Sequence, residues 1–354
     1  MIRERAIALF LCTMNYKIVV DAMGGDLAPE EIVKGTLDAV EKDTSLEVIL
    51  VGDTDKMDMA SIEASVGKDR ITVVDAKEII TNDDVPTTAI KRKKDSSLVK
   101  AFDLVAADEE VGGLVSAGST GAVLVGAFMK VGRIKGISRP ALAPMLPTVK
   151  GDKKVILCDC GANVDCKAIN LHHFGIMGNA FAKSMLGIEK PVIGLLSNGA
   201  EDHKGNELNQ EAFALLKDDE NLNFVGNCEA RDILSGDYDV VVSDGFNGNI
   251  ALKSAEGTAG AIFSILTDGI MNGGLRMKLG YLMLKPVLRV VKRKLDYNAQ
   301  GGAVFLGCNK VVVKAHGSSK SVSISASIIM AKKLAEAGLP DLIRKGIERD
   351  VQQS

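Results

Sequence analysis

"YKIVVDAMGGDLAPEEIVKGTLDAVEKDTSLEVILVG", residues 16–52, decides the fold. It opens with a near-continuous apolar run, YKIVVDA at 16–22, and closes with another, LEVILVG at 46–52. Runs without polar alternation belong to strands buried on both faces. Between them Gly24-Gly25 permits a tight turn, Asp26 and Pro29 suit a helix start, and residues 29–41 are amphipathic. Strand, helix and strand in succession form a βαβ unit, whose two strands run parallel.

The same alternation continues outward. ITVVDA (71–76), GGLVSAG (112–118), KVILCDCG (154–161), PVIGLLS (191–197), NFVG (223–226), DVVVSDG (239–245) and KVVVKAHG (310–317) read as strands. Amphipathic segments at 97–107, 119–130, 168–186 and 206–217 read as helices. The expected fold is α/β, a mostly parallel sheet flanked by helices, with ligands at the carboxyl ends of the strands. Residues 14–354 are expected to form a single α/β catalytic unit, with room for two lobes. Residues 1–13 read as an upstream or disordered extension.

Composition removes several functions. The chain has 354 residues, 46% hydrophobic and 25% charged, and a net charge of −3, so general affinity for nucleic acid is not implied. Trp is absent and aromatics are only 4%, which leaves little for base stacking. Of the six cysteines, Cys158, Cys160 and Cys166 cluster, but no second Cys/His pair follows at zinc-site spacing. No metal site and no cofactor is expected, and the thiols read as reduced core residues. No segment offers the roughly 18 apolar residues that a membrane-spanning helix needs.

Residues 258–295 break the alternation. They are apolar with helical period, and interruptions are expected at Gly273-Gly274 and Pro286. From Ile270 to Leu295 they hold seven cations and no Asp or Glu. Two readings stand: a helical hairpin at a homodimer interface, or a membrane-surface element. In the second, Leu275, Leu279, Leu282 and Met283 enter the acyl boundary and the cations meet anionic lipid. Both hold if paired hairpins project from a dimer.

The chemistry is sought in the strand-end loops. DAMGGDLAPE contributes Gly24, Gly25 and Asp26, and it is not a G-x-G-x-x-G dinucleotide fingerprint. SAGSTGA contributes Ser116, Gly118, Ser119, Thr120 and Gly121, a hydroxyl-rich and glycine-rich anion cradle. DCGANVDCK contributes Asn163, Asp165 and Lys167; SDGFNGN contributes Asp244, Asn247 and Asn249. HKGNEL places Lys204, Gly205 and Asn206 ahead of a helix, and KAHGSSK supplies His316 and Ser318. No G-x-S-x-G elbow is present. Amides, hydroxyls, glycine N–H groups and a few lysines bind phosphate and stabilise an oxyanion; they are poorly equipped for a covalent intermediate.

VDAMGGDLAP, KRKKDSSLV, SAGSTGA, VGRIKGISRPALAP, DCGANVDCK, KGNEL, DGFNGN and KAHGSS occur in this order. Together they resemble the PlsX family, the bacterial phosphate acyltransferases of phospholipid synthesis, from about Tyr16 to Ser319 and beyond. The family usually has His where Leu27 stands, Asn where Ser119 stands and Thr where Asn247 stands. The resemblance implies a fold of the isocitrate dehydrogenase and phosphotransacetylase group, a homodimer, and transfer of a long-chain fatty acyl group from acyl carrier protein to inorganic phosphate. The acyl-phosphate product then passes to a membrane glycerol-3-phosphate acyltransferase. The implied location is the cytoplasm, peripherally at the inner face of the membrane.

That reaction suits the loops. Phosphate is the nucleophile, and a thiolate leaves readily because a thiol pKa is roughly 8.5. Positioning and oxyanion stabilisation remain for the protein. The resemblance places the catalytic lysine at Lys204, with the N–H groups of Gly205 and Asn206 expected to face the anion. Asn163, Asp165, Asp244 and Asn249 complete the expected pocket, with His316 as a further candidate acid or base. Two alternatives are carried forward: a CoA-dependent phosphotransacetylase acting on short acyl groups or a dehydrogenase of related fold, and a non-catalytic membrane-docking protein built around 258–295.

Overall fold

The computed structural model describes residues 16–295 and 301–353. The expected extension at 1–13 lies outside them. The described chain divides into two compact units.

The first unit takes residues 16–140, 179–189 and 301–353. Its strands are β1 (Tyr16–Asp21), β2 (Leu46–Gly52), β3 (Ile71–Asp75), β4 (Val111–Ser116), β10 (Ala303–Leu306) and β11 (Val311–Lys314). They lie in the order β3-β2-β1-β4-β11-β10, parallel except that β10 runs antiparallel to β11. The opening stretch is the predicted βαβ unit: Tyr16 pairs with Leu46 and Asp21 with Val51, joined by α1 (Glu30–Lys42). α1 buries Ile32, Val33, Ala39 and Val40, spaced for one helical face, and Glu30 and Glu31 favour its positive N-terminus. The other helices are α2 (Met59–Ala64), α3 (Pro86–Arg92), α4 (Ser97–Ala107), α5 (Thr120–Gly126), α10 (Ser321–Glu336) and α11 (Leu339–Gln353).

The second unit takes residues 141–178 and 190–295 of the described chain. Its strands are β5 (Ala141–Pro147), β6 (Lys154–Cys158), β7 (Val192–Ser197), β8 (Asn223–Glu229) and β9 (Val240–Val242), in the order β5-β6-β9-β7-β8. All pair in parallel except β5 with β6. Val155, Leu157, Leu196, Cys228 and Val241 form its core. The helices are α6 (Ala168–Leu186, whose end belongs to the first unit), α7 (Glu207–Asp218), α8 (Gly245–Met271) and α9 (Leu275–Leu295).

The structure corrects three expectations. β5, read as ALAPMLP, was not expected as a strand: its two prolines argue against a central position, yet its Met145–Pro147 end pairs with β6. β10, only four residues long, was also missed. Pro286 does not interrupt the 258–295 region; it sits on the exposed side of α9, and the helix continues through it. The break at Asn272–Gly274 is where expected.

Candidate functional site

In the first unit three predicted loops interlock. Asp21 closes β1, is fully buried, and accepts from the Ser116 hydroxyl at 2.7 Å and from the Met23 amide at 3.3 Å. Ser116 Oγ in turn accepts from the Gly118 amide at 3.1 Å. The Asp26 amide donates to the Gly317 carbonyl at 2.8 Å, which ties the first loop to the third. Gly24 has to be glycine, since a Cβ there would lie 2.6 Å from the Gly118 nitrogen. Ser116 therefore acts inside the framework, with its hydroxyl engaged by Asp21. Ser119, Thr120 and Gly121 open α5, and Gly121 lies against Pro86. His316 and Ser318 are exposed; His316 Nδ1 accepts from the Ser318 amide at 3.3 Å, which puts a neutral imidazole's proton on Nε2.

Sequence reasoning missed Lys314, at the end of β11. It is buried, and its ammonium donates to the Ala117 carbonyl at 3.4 Å and to the Ala315 carbonyl. Burial lowers its pKa to about 8, against the opposing pull of Asp26 and Asp21. Burial also raises the pKa of Asp21, opposed by hydrogen bonds from Ser97 and Ser116. Lys314 is preceded by three valines, and that buried run was the available signal.

In the second unit Asp159 is the organiser, and it too was missed. It is fully buried just after β6 and accepts from the amides of Leu142 (2.9 Å), Ala162 (3.1 Å) and Asn163 (2.7 Å), and from Asn163 Nδ2 (2.8 Å). Burial raises its pKa, and these donors work against that rise. The Asn163 carbonyl then accepts from the Gly245 amide at 2.8 Å, which joins this loop to the start of α8. Gly248 allows the helix to close in, since a Cβ there would lie 2.0 Å from the Asp159 carbonyl oxygen. Asp244 caps α8 by accepting from the Asn247 amide at 2.8 Å and from Asn247 Nδ2 at 2.6 Å. SDGFNGN is thus less a loop than a helix start: Asn247 and Asn249 both lie in the opening turns of α8. Asp165 and Lys167 are exposed in the segment leading into α6.

The HKGNEL turn leads into α7. Asn206 caps the helix by accepting from the Asn209 amide at 2.9 Å. Gly205 has φ +100°, a conformation that glycine tolerates and a side chain does not. Its amide does not face outward as expected: it donates to Asn198 Oδ1 at 2.9 Å. Lys204 is half-buried, and among the described residues its ammonium has no carboxylate partner. Gly205 and Asn206 line the mouth of an open groove of about 930 Å³, together with Asn198 and Asn247. The structure therefore brings Gly205, Asn206 and Asn247 to one cavity, and Asn163 and Asp244 into the network beneath it.

The five described cysteines are free thiols, and four are buried. Burial pushes Cys158 and Cys160 well above the ordinary thiol range and Cys228 and Cys308 up to about 12. Such thiols are poor nucleophiles. His172 and His173 are buried in α6, and His172 Nε2 lies 3.0 Å from an Asp219 carboxylate oxygen.

Strand-end loops rich in amides and hydroxyls, set on a mostly parallel sheet, define an α/β enzyme of the phosphotransacetylase fold. The EutD phosphotransacetylase from Staphylococcus aureus superposes with a TM-score of 0.59 at 19% identity, covering 93% of this chain and 99% of that one. A branched-chain phosphotransacylase from Enterococcus faecalis V583 gives 0.60 at 15% identity, covering 90% and 99%. At these identities the likeness shows the fold alone. The sequence goes further: the profile of the family described as "Fatty acid synthesis protein" matches residues 16–342. A phosphate acyltransferase from Clostridium novyi is 45% identical over 94% of this chain and 99% of its own length. One from Thermoanaerobacterium thermosaccharolyticum is 48% identical over 94% and 97%. The chain belongs to the phosphate acyltransferase family, and the resemblance read from its motifs holds.

Proposed function

We propose that the protein transfers a long-chain fatty acyl group from acyl carrier protein to inorganic phosphate, and that Lys204 is the charge that receives the phosphate or the tetrahedral oxyanion. The observation that supports this most is the half-buried Lys204, without a carboxylate partner among the described residues, in a turn whose next two residues, Gly205 and Asn206, line an open groove. An unpaired cation held close to a cavity favours an anion there. Asn163 (held by Asp159), Asp244 and Asn249 shape the surroundings, while Asp165 and Lys167 stand exposed ahead of α6. In the first unit Gly24, Gly25, Asp26, Gly118, Ser119, Thr120, Gly121 and Ser318 form the second anion cradle, with His316 beside it.

The test is incubation with palmitoyl-acyl carrier protein and phosphate, with acetyl-CoA and phosphate in parallel. Acyl-phosphate from the first pair is expected. Product from acetyl-CoA alone would replace this reading with a short-chain phosphotransacetylase.

The hairpin of α8 and α9 serves delivery. Leu279, Leu282 and Met283 are 55%, 61% and 83% exposed, and Ile265 on α8 is 70% exposed. The Leu275 side chain lies outside the described ones. No helix among the described residues is long and apolar enough to cross a membrane. Contiguous exposed apolar side chains amid cations suit an anionic membrane surface, approached from the cytoplasm, where a membrane glycerol-3-phosphate acyltransferase takes the product. Each cation near such a surface contributes on the order of 1 kcal/mol, screened by salt. Pairing of hairpins would make the homodimer. Co-sedimentation with anionic liposomes is expected for the wild type, weakened by salt and lost in Leu279→Glu and Leu282→Glu, with turnover in solution kept. Equal binding by wild type and variants would reduce the region to a structural hairpin.

A further inference from the structure

The groove bordered by the Lys204 turn continues well past it along α8. Its lining positions on that helix are Asn247, Ile250 and Ala251, then Ser254, Ala255, Thr258, Ala259 and finally Ile262. The spacing is that of one helical face. Between Ile250 and Ile262 every one of these side chains is Ala, Ser or Thr, so the face is a channel where large side chains would make a ridge. Leu196, Ala230 and Leu234 line it too, from outside the helix. At 1.5 Å per residue, Asn247 to Ile262 spans about 22 Å, long enough for an extended long acyl chain.

Its lining distinguishes it from two other grooves, both in the first unit. One, of about 990 Å³, includes Asp26, Glu30, Glu31, Lys34 and Lys56 among its lining residues; the other, of about 560 Å³, includes Lys17, Glu47, Glu109 and Glu110. In the α8 groove Arg231 is the single charged residue among the described lining residues, and it pairs with Glu229 at 2.6 Å. Charged walls penalise a hydrocarbon guest because their hydration must be given up, whereas walls of Ala, Leu and Ile do not.

From the groove's polar mouth, uncharged length and small-residue floor, we propose that it seats the fatty acyl chain of the donor thioester. The thioester carbonyl lies at Asn198, Gly205, Asn206 and Asn247, the chain runs along Ala251, Ala255 and Ala259, and Ile262 marks its far end. The proposal rests on the acyl-transfer reading above and adds the binding site and the element that measures chain length. Ala255 lies about halfway, roughly 12 Å from Asn247 by helix rise.

The experiment compares octanoyl and palmitoyl donors on wild type, Ala255→Trp and Ile262→Glu. Ala255→Trp fills the middle of the channel and is expected to lower the palmitoyl-to-octanoyl ratio of kcat/KM by about tenfold or more, the scale of one overpacking clash. Ile262→Glu changes a half-exposed position, and it is expected to slow palmitoyl turnover more than octanoyl turnover. A fluorescent polyene fatty acid, displaced by palmitate, gives a readout independent of turnover; its binding is expected to fall in Ala255→Trp. Unchanged ratios in both variants, or equal loss on both donors with unchanged probe binding, would overturn the proposal. Wild type that makes no acyl-phosphate yet binds the probe in an Ala255-dependent way would sink the reaction assigned above and leave the groove standing.

Discussion

The two units handle polar atoms at their strand ends in opposite ways. In the first, Asp21, Ser116, Gly118 and Lys314 are turned on one another and on backbone carbonyls, and the result is a rigid cradle. In the second, Asp159 does the same work after β6, yet Lys204, in the turn ahead of α7, is left without a carboxylate partner among the described residues. Buried polar groups that satisfy each other hold a shape. A charge left without an internal partner is available to a ligand. The contrast separates residues that build the site from the residue proposed to act in it.

The sharpest way to break that contrast is Lys204→Ala. Turnover is expected to fall by about a hundredfold or more, with the melting temperature unchanged, the scale of losing one oxyanion or phosphate partner. Asp159→Ala should show the reverse pattern. It leaves the buried amides of Leu142 and Asn163, the part-buried amide of Ala162 and the Asn163 side chain without their acceptor, so thermal or urea unfolding should report a loss of about 3 kcal/mol or more. A stable Asp159→Ala protein would remove the organiser from the account.

Lys314 gives an effect visible as a pH trend. Its folded pKa of about 8 lies below the ordinary 10.5. Below pH 8 it is charged in both states, and the burial cost is fully present. Between about 8 and 10.5 the unfolded chain holds a proton that the folded one has released, so this group's contribution to stability rises with pH. Wild type should therefore gain stability relative to Lys314→Met as pH is raised across that window. A difference that is flat with pH would mean the ammonium is better solvated than its burial indicates.

Much of this was legible in the sequence. Continuous apolar runs marked the parallel strands because both faces of such strands are buried, and the 16–52 unit emerged with its pairing as expected. β5 and β10 escaped, one disguised by prolines and one too short to show a period. The loops that hold the candidate site were found by their glycines and amides. Asp21 was not, because its partner Ser116 lies 95 positions away; Asp159 was not, although Ala162 and Asn163 lie within four positions, because the turn that brings their donors back to it leaves no periodic mark. A lone carboxylate at a strand end reads as an ordinary loop residue until the neighbouring strand brings its donor. The engagement of the Gly205 amide by Asn198, seven positions away, was hidden because it depends on how the turn folds back on β7.

The most direct test of the central claim, that phosphate itself attacks the thioester at the Lys204 turn, is thiol release from palmitoyl-acyl carrier protein with and without phosphate. The account predicts release only when phosphate is present, matched mole for mole by acyl-phosphate. A burst of free thiol without phosphate, equal to the amount of enzyme, would reveal an acyl-enzyme and contradict it.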